Sequence, residues 1–277
     1  MQLIAIDETG ERIIAPQAKK KNDYQCPTCD GLVRLRCGPH IQAHFYHYRK
    51  PKQCVHRKKT QAHLHNQLYL ASKLKCAILE HPFPSIGRIA DVFWPAQNIV
   101  FEIQYSAMTA EEAKKRESDY SSLGVHLVWI IHEARFNRRR LSAAEQFFVT
   151  RHTYYTSIDA RGIGMIYDQF EIIRGEERCF KGAKFPIHPA SPYRLHDVSP
   201  PNPFPKALLQ RLQTRSLGFA GDVIDATFQK PDYDYSSLIA LESRYSKRKI
   251  SLFSWMQACA PAYRAFIYAL LEKTLIK

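Results

Sequence analysis

Two short apolar segments, each with a carboxylate inside it, constrain this chain more than any other feature. Segments 87–93 and 99–104 are rich in β-branched and aromatic residues, and the Trp-Pro-Ala-Gln-Asn sequence between them predicts a turn joining two antiparallel strands. Asp91 lies in the first segment and Glu102 in the second. Because an ionised carboxylate in apolar surroundings is costly unless it is compensated, we expect each acid to have a partner or a metal ion.

A divalent cation is one candidate for that partner. On a strand, Glu102 and Gln104 share a face while Ile103 takes the other, and a hairpin can bring Asp91 beside that face. Two carboxylates and an amide suit Mg2+ or Mn2+, which prefer oxygen ligands. The alternative is structural, with Asp91 ending its strand and Glu102 paired with an arginine.

The positive charge of the chain is concentrated in one stretch. The formal net charge is +14, and residues 31–79 contain ten Lys or Arg but no Asp or Glu. Such a field attracts polyanions, with nucleic acid the leading candidate, although a solvated basic face is the alternative. The candidate DNA contacts in this stretch are Arg34, Arg36, Arg49, Lys50, Lys58 and Lys59.

A cluster of cysteines and histidines in the same part of the chain predicts a structural Zn2+ site. A CxxC motif is followed after fourteen residues by two histidines, which together give four donors for a tetrahedral ion. Residues three apart on a strand point to opposite faces, so another side chain can replace one histidine. The ligands would be Cys26, Cys29, His44 and His47, with Cys54, or less favourably Cys37 or His56, as the replacement.

The same cysteines bear on location. Seven is an odd number, and the clustering with histidines favours metal binding in a reducing compartment over a disulfide framework. The N-terminus meets Asp7 before any long apolar stretch, and no run approaches the roughly 20 apolar residues that span a bilayer. We therefore expect a cytoplasmic protein that does not contact membranes.

The surrounding elements predict an α/β core. Apolar residues recur with helical spacing over 60–79, the pair Thr109 and Glu112 predicts the start of a helix that ends near Gly124, and 125–131 is a nearly continuous apolar strand. The order strand, strand, helix, strand implies a right-handed crossover and a mixed sheet. On the second helix, Arg116 and Tyr120 share a face, from which Arg116 can meet a phosphate or Glu102.

We expect three parts. An N-terminal module, 1–57, begins with a hairpin around Gly10, a core domain spans 58–150, and a mostly helical region spans 151–277. In the last region we expect a hairpin within 164–174 and a proline-rich linker over 186–205. Helices are predicted over 141–150, 207–217 and 251–276.

Taken in order, these strings resemble the competence protein CoiA family over roughly residues 1–175. The strings that carry the resemblance are Cys26-Pro27-x-Cys29, His44-Phe45-x-His47, Ala90-Asp91-Val92, Glu102-Ile103-Gln104-x-Ser106, Arg116 with Tyr120, and Val128-Trp129-Ile130. The resemblance implies a restriction-endonuclease-like fold of the PD-(D/E)XK type behind a zinc-finger-like module, in a bacterial protein linked to DNA uptake or recombination.

The resemblance also implies roles for single residues. Asp91, Glu102 and Gln104 would form the catalytic and metal-binding centre, with Gln104 in place of the usual lysine and with Arg116 and Tyr120 lining the site. By its spacing, His65 is a candidate proton acceptor or ligand. The family's helical glutamate, histidine and lysine fall here on Gln61, His65 and Tyr69, or in another register on His63 and Gln67 for the last two.

Either register removes one acid and one cation, which leaves three functions open. The first is a Mg2+- or Mn2+-dependent deoxyribonuclease. The second is a degenerate nuclease fold that binds single-stranded or branched DNA, or recombination proteins, without cutting. The third is a single-strand-binding accessory in which Tyr46, Tyr48 and Tyr69 stack on bases.

Overall fold

The computed structural model describes residues 1–49, 51–52, 54, 59–228 and 234–246. The chain divides into two compact units, residues 1–235 and residues 236–277. The described part of the second unit is the helix α7, Ser236–Ser246; the first unit contains all the elements that follow. The boundaries expected at 57 and 150 remain predictions.

The N-terminal part of the first unit is a five-stranded antiparallel sheet. Its strands are β1 (Ile4–Ile6), β2 (Arg12–Ile14), β3 (Asp23–Gln25), β4 (Leu32–Gly38) and β5 (Ile41–His47), in the order β2-β1-β3-β4-β5. The predicted opening hairpin is confirmed, with Gly10 at φ +84° in its turn. A small core that includes Tyr24, Val33 and Phe45 lies under this sheet.

The larger sheet has seven strands. They are β6 (Ile78–Phe83), β7 (Arg88–Trp94), β8 (Ile99–Gln104), β9 (His126–His132), β10 (Thr153–Thr156), β11 (Ile166–Arg174) and β12 (Glu177–Pro186), in the order β12-β11-β10-β9-β8-β7-β6. Strand β9 is parallel to both β8 and β10, and the other neighbours are antiparallel. The predicted mixed α/β fold, the β7–β8 hairpin and the crossover to β9 are therefore confirmed.

Helices cover both faces of this sheet. On one face α1 (Gln61–Lys73) packs through Leu64 and Leu70 in one cluster with Phe101 and Ile103 of β8. On the other face α2 (Ala110–Ser121), the short α3 (Glu133–Phe136) and α4 (Ala143–Phe148) pack against Val100. Because successive strand residues point to opposite faces, β8 contributes to two cores.

Some expected elements differ in extent. The helix predicted over 60–79 ends at Lys73, and strand β6 follows it, because residues 78–83 pair with the edge of the hairpin. Residues 166–174 form a single strand, β11, and its antiparallel partner is the following strand β12 rather than another part of segment 164–174. The chain after residue 150, expected to be mostly helical, first supplies three strands of the sheet.

The rest of the first unit is compact. Segment 186–205, for which the prolines predict a linker, carries β13 (Pro192–Arg194) and buries Ile187 and Leu195. Helix α5 (Lys206–Thr214), strand β14 (Leu217–Phe219), paired with β13, and helix α6 (Val223–Phe228) follow. The helix predicted over 251–276 lies outside the described residues. None of the helices in the described residues is both long and apolar enough to cross a membrane.

Candidate active site and metal centre

Three buried acids lie side by side across β6, β7 and β8. The antiparallel registers on the two sides of β7 place Glu80 of β6 and Glu102 of β8 across from Asp91. Their exposed fractions are 1%, 3% and 6%, respectively. Three neighbouring carboxylates in a core require compensating positive charge or bound cations.

Asp91 takes its partners from α1, from Lys59 two residues before that helix, and from the backbone of β8. Its Oδ1 accepts a hydrogen bond from Lys59 Nζ at 2.7 Å and lies 2.9 Å from His63 Nε2. Its Oδ2 accepts from Ile103 N at 2.9 Å, and Gln67 Nε2 donates to its backbone oxygen at 2.8 Å. Burial alone would raise the pKa of Asp91, but the His63 and Lys59 contacts hold it well below its usual value.

Glu102 takes its partners from α2, which covers the other face of the sheet. Arg116 NH1 donates to its Oε2 at 2.6 Å, and Tyr120 OH donates to its Oε1 at 2.7 Å. Arg116 also binds Glu112 at 3.0 Å. Burial raises the pKa of Glu102; Asp91 adds to that rise, and Arg116 opposes it. The two acids are therefore held by different helices and have pKa shifts of opposite direction.

A cleft of about 850 Å³ joins these two sets of contacts. The polar side chains that line it and bear on the chemistry are Lys59, His63, Asp91, Glu102, Gln104 and Arg116. The Gln104 amide donates to the backbone oxygen of Ser106 at 2.8 Å, which fixes its Nε2. At the rim, Arg88 is paired with Glu112 and Asp119. Acids, an amide and cations of two kinds thus face one space.

The donor chemistry of the cleft suits a hard divalent cation, but the chain's own cations already occupy the acids. Carboxylate and amide oxygens are ligands that Mg2+ or Mn2+ accepts. In this conformation Lys59 bonds to Asp91 and Arg116 bonds to Glu102. Among the described residues, neither acid belongs to a set of three or more metal-binding side chains with mutually close ligand atoms. A metal ion here therefore has to displace a protein cation.

The histidine at the acids is His63 rather than the expected His65. The His65 ring lies against the turn that contains Gly162, where an added Cβ would come within 2.9 Å of its Nδ1. His63 and Gln67, one turn apart on α1, both contact Asp91, in keeping with the alternative register. The helical spacing of 63 and 67 was visible in the sequence, but the face of α1 that meets β7 was not.

The N-terminal donors form a second centre. Cys26, Cys29, His47 and Cys54 offer ligand atoms that all lie within 4.8 Å of one another. Cys29 Sγ is 3.3 Å and Cys54 Sγ 3.5 Å from His47 Nε2. Tetrahedral Zn2+, about 2.3 Å from sulfur and 2.1 Å from nitrogen, holds its donors roughly 3.5–3.8 Å apart, so this group fits the ion. The cluster could therefore hold zinc.

His44 lies outside this group. His44 and His47 are three residues apart on β5 and so point to opposite sides of the strand. The buried His44 ring instead lies 2.8 Å from the backbone oxygen of Gln42. Cys54 takes the place that His44 would have filled, which was the alternative left open by the sequence. Burial, together with the neighbouring thiols, raises the pKa of Cys29 to about 12 in the protein alone. A bound Zn2+ would bind the thiolate form of Cys29, and the thiol proton would be released to solvent.

The candidate DNA contacts divide into exposed and buried residues. Arg34, Arg36 and Arg49 are exposed, and Arg34 is paired with Asp23 and lies over the Tyr48 ring at 4.9 Å. Lys59 instead turns inward to the acids, as do Arg116 and Tyr120. Lys50 and Lys58 lie outside the described residues.

Two models of one family match consecutive parts of the chain. Competence protein CoiA, N-terminal domain, matches residues 9–57, and Competence protein CoiA, nuclease-like domain, matches residues 57–161. The chain belongs to the competence protein CoiA family. Comparison with curated proteins and comparison with solved structures each found no match.

The two centres lie in parts of the chain that match different domains of the family. The Cys26–Cys54 cluster lies in the part matched to the CoiA N-terminal domain, whereas the acids and their cleft lie in the part matched to the nuclease-like domain. The sequence does not single out Glu80, because its strand β6 begins with Ile78 and Leu79, which also fit the helical periodicity of the preceding residues. The sequence makes Lys59 a candidate DNA contact; its place at the acids depends on tertiary structure.

Proposed function

We propose that this CoiA family protein hydrolyses phosphodiester bonds of DNA with Mg2+ or Mn2+, in DNA uptake or recombination. The observation that carries the proposal is the cleft that Asp91, Glu102 and Gln104 line together with Lys59 and Arg116. Acids that can hold a metal, next to cations that can hold phosphate, are what phosphodiester hydrolysis requires.

In this proposal the chain's residues divide the work. Asp91 and Glu102 would hold the divalent ion, which when bound would lower the pKa of a water molecule and polarise the phosphate. Arg116 holds a phosphate oxygen through its planar guanidinium while Glu112 keeps that side chain oriented. The Gln104 carbonyl oxygen orients the attacking water, since an amide can accept as well as donate. His63, whose Nε2 lies 2.9 Å from Asp91 Oδ1, accepts the proton that the attacking water gives up.

In the same proposal, the basic surface of the N-terminal sheet binds the phosphate backbone of the DNA. Exposed Arg34 and Arg36 follow one face of β4, and Tyr46 and Tyr48 lie beside them with 40% and 58% of their surface exposed. Arginines hold phosphates without reading bases, and exposed tyrosines stack on unpaired bases. Single-stranded or branched DNA is therefore the proposed substrate, and other recombination proteins are proposed partners.

The test is cleavage of labelled single-stranded, duplex and branched DNA by purified protein with Mn2+ or Mg2+. Asp91→Asn and Glu102→Gln, which keep the shape of each side chain, are expected to lower the cleavage rate at least a hundredfold. Glu111→Gln is the matched control, since Glu111 is an exposed carboxylate on the same helix as Arg116, and it should cleave like wild type. Cleavage that survives both Asp91→Asn and Glu102→Gln would contradict the proposal.

A second candidate function is DNA binding without cleavage, through a nuclease fold that has lost its metal. The observation that favours it is the pairing of Asp91 with Lys59 and of Glu102 with Arg116, which leaves each acid compensated. Wild-type protein that binds branched or single-stranded DNA, and does not cut it at any Mn2+ concentration, would support this function over hydrolysis.

A further inference from the structure

The Lys59 ammonium lies in a cation site made by two carboxylates. Its Nζ is 2.7 Å from Asp91 Oδ1 and 3.0 Å from Glu80 Oε1. The exposed fractions of the three side chains are 10% for Lys59, 8% for Asp91 and none for Glu80. Two buried carboxylate oxygens that share one ammonium form a site for positive charge.

Other parts of the chain hold both carboxylates in place. Glu80 Oε2 accepts the backbone N–H groups of Leu3 and Ile4 at 3.0 and 3.1 Å. Asp91 Oδ2 accepts from Ile103 N at 2.9 Å. Each acid therefore uses one oxygen for the backbone and presents the other to Lys59, and Asp91 Oδ1 also lies 2.9 Å from His63 Nε2. These two oxygens therefore keep their orientation when the ammonium moves. This preorganisation is what a cation site needs.

An ammonium and a metal ion cannot share this place. A divalent ion bound to Asp91 Oδ1 would lie at about 2.0–2.6 Å from that oxygen, while Lys59 Nζ already lies at 2.7 Å. Both cations would lie beside the same carboxylate oxygen, and their positive charges would repel each other strongly in a poorly solvated site. Lysine has a flexible stem that allows its ammonium to withdraw.

We propose that Lys59 is a tethered competitor of the divalent cation, and that Asp91 binds a metal together with Glu80 only after the Lys59 ammonium has left them. This rests on the proposed metal-binding function of the cleft and adds two roles to it. Glu80 becomes an acidic ligand, and Lys59 sets the metal concentration at which the site fills.

The first experiment measures Mn2+ binding by isothermal titration calorimetry with the zinc-loaded full chain. Lys59→Met removes the charge and keeps the stem, so its Mn2+ affinity should be at least about tenfold higher than that of wild type. Lys59→Arg should bind Mn2+ like wild type or more weakly. The matched control is Lys75→Met, the same change at an exposed lysine, which should bind Mn2+ like wild type. Adding Asp91→Asn or Glu80→Gln to Lys59→Met should lose the gain.

The second experiment needs no variant. Saturating Mn2+ should increase the reaction of Lys59 with an amine-reactive reagent in wild-type protein, measured by mass spectrometry, while the labelling of Lys75 stays constant. Lys59 labelling that does not change at saturating Mn2+ would overturn the proposal, even if Lys59→Met failed to fold.

The outcomes separate this inference from the proposed function. Asp91-dependent Mn2+ binding that is equal in wild type and Lys59→Met would overturn the competition and leave metal-dependent hydrolysis standing. If neither protein binds Mn2+ in an Asp91-dependent way, the metal-dependent function fails as well. A gain that survives Glu80→Gln would overturn the assignment of Glu80 as a ligand.

Discussion

The acidic cleft and the N-terminal cysteine cluster differ in where their balancing charge comes from. In the cleft, Lys59 and Arg116 already form ion pairs with Asp91 and Glu102. In the cluster, Cys29, Cys54 and His47 lie against one another as metal-binding donors. The cleft is compensated by the chain itself, whereas the cluster gains most from an ion supplied from outside.

Because of that difference, we expect zinc in the cluster to have a structural role and a divalent cation in the cleft to have a catalytic one. A cluster of four donors in a small sheet is a closed site, so zinc there would contribute to folding. The cleft can fold without a metal because its acids have partners, so a divalent cation there would act in chemistry. The predictions below test this contrast, beginning with the largest expected effect.

Loss of zinc should unfold the N-terminal sheet. Cys54→Ser removes one of the four donors, and structural zinc is worth about 10 kcal/mol or more of apparent binding free energy in small zinc domains. We expect the variant to lose its zinc by elemental analysis and to show an earlier thermal transition. Cys37→Ser, which lies outside the donor group, should keep its zinc and the thermal transition of wild type. Folded wild-type protein that contains no zinc would remove the contrast.

Loss of Asp91 should destabilise the protein more than loss of Glu102. Asp91→Ala deprives His63 and Ile103 N of an acceptor and leaves Lys59 with Glu80 alone among the described residues, and breaking a buried ion pair costs about 3–5 kcal/mol. Glu102→Ala should cost about 1–3 kcal/mol, because Arg116 keeps Glu112 as a partner.

Urea unfolding of both variants in their zinc-loaded form, without added Mg2+ or Mn2+, would measure this difference. Glu111→Ala, at an exposed position on α2, should stay within about 0.5 kcal/mol of wild type. Equal losses of unfolding free energy for Asp91→Ala and Glu102→Ala would contradict the expectation that more of the stabilising contacts depend on Asp91 than on Glu102.

A partly buried histidine outside the cleft should also make stability depend on pH. His152 Nε2 accepts the N–H groups of Ser216 and Leu217 at 2.9 and 3.1 Å. Burial, with the charge of Arg215, lowers the pKa of His152 to about 3. Between the ordinary pKa of about 6.5 and that value, only the unfolded chain binds the proton, so stability falls as pH falls.

The expected loss from His152 between pH 7 and pH 5 is about 2 kcal/mol. Denaturant unfolding at the two pH values would measure it, with His152→Asn as the comparison because that residue can accept a hydrogen bond but does not titrate. An equal pH dependence for wild type and His152→Asn would contradict this account.

The basic surface is expected to affect DNA binding rather than stability. Tyr48→Ala should weaken binding of single-stranded DNA by about 1–3 kcal/mol, because one stacking contact is lost. Arg34→Ala should instead lower the salt dependence of binding by about one phosphate contact. Fluorescence anisotropy with a labelled oligonucleotide at several salt concentrations would measure both, and Glu111→Ala should change neither. Unchanged binding by both variants would remove this surface from the proposed DNA path.

Local patterns were enough to predict much of the fold. Alternation and turn residues predicted the β7–β8 hairpin, the cap at Thr109 predicted the start of α2, and apolar β-branched residues predicted β9. These signals work because they depend on the backbone preferences of neighbouring residues. Strand β6 was missed because Ile78 and Leu79 also fit the period of the preceding helix, and a strand at a sheet edge is chosen by its partner.

The sites divide in the same way. Spacing identified the CxxC thiols and the acids Asp91 and Glu102, but it could not choose His63 over His65 or Cys54 over His44. Those choices depend on which face of α1 meets β7 and on which side of β5 the CxxC turn lies. Neither relation is local in sequence.

By itself, the sequence determined the α/β class, the strands that carry Asp91 and Glu102, the cysteine-rich N-terminal module and the family. Only the tertiary structure decided that Glu80 joins Asp91 and that Lys59 lies between them. The physical reason is that period and propensity act over one or two turns of chain, whereas buried charges are paired by whichever groups the packed sheet and helices bring within about 3 Å.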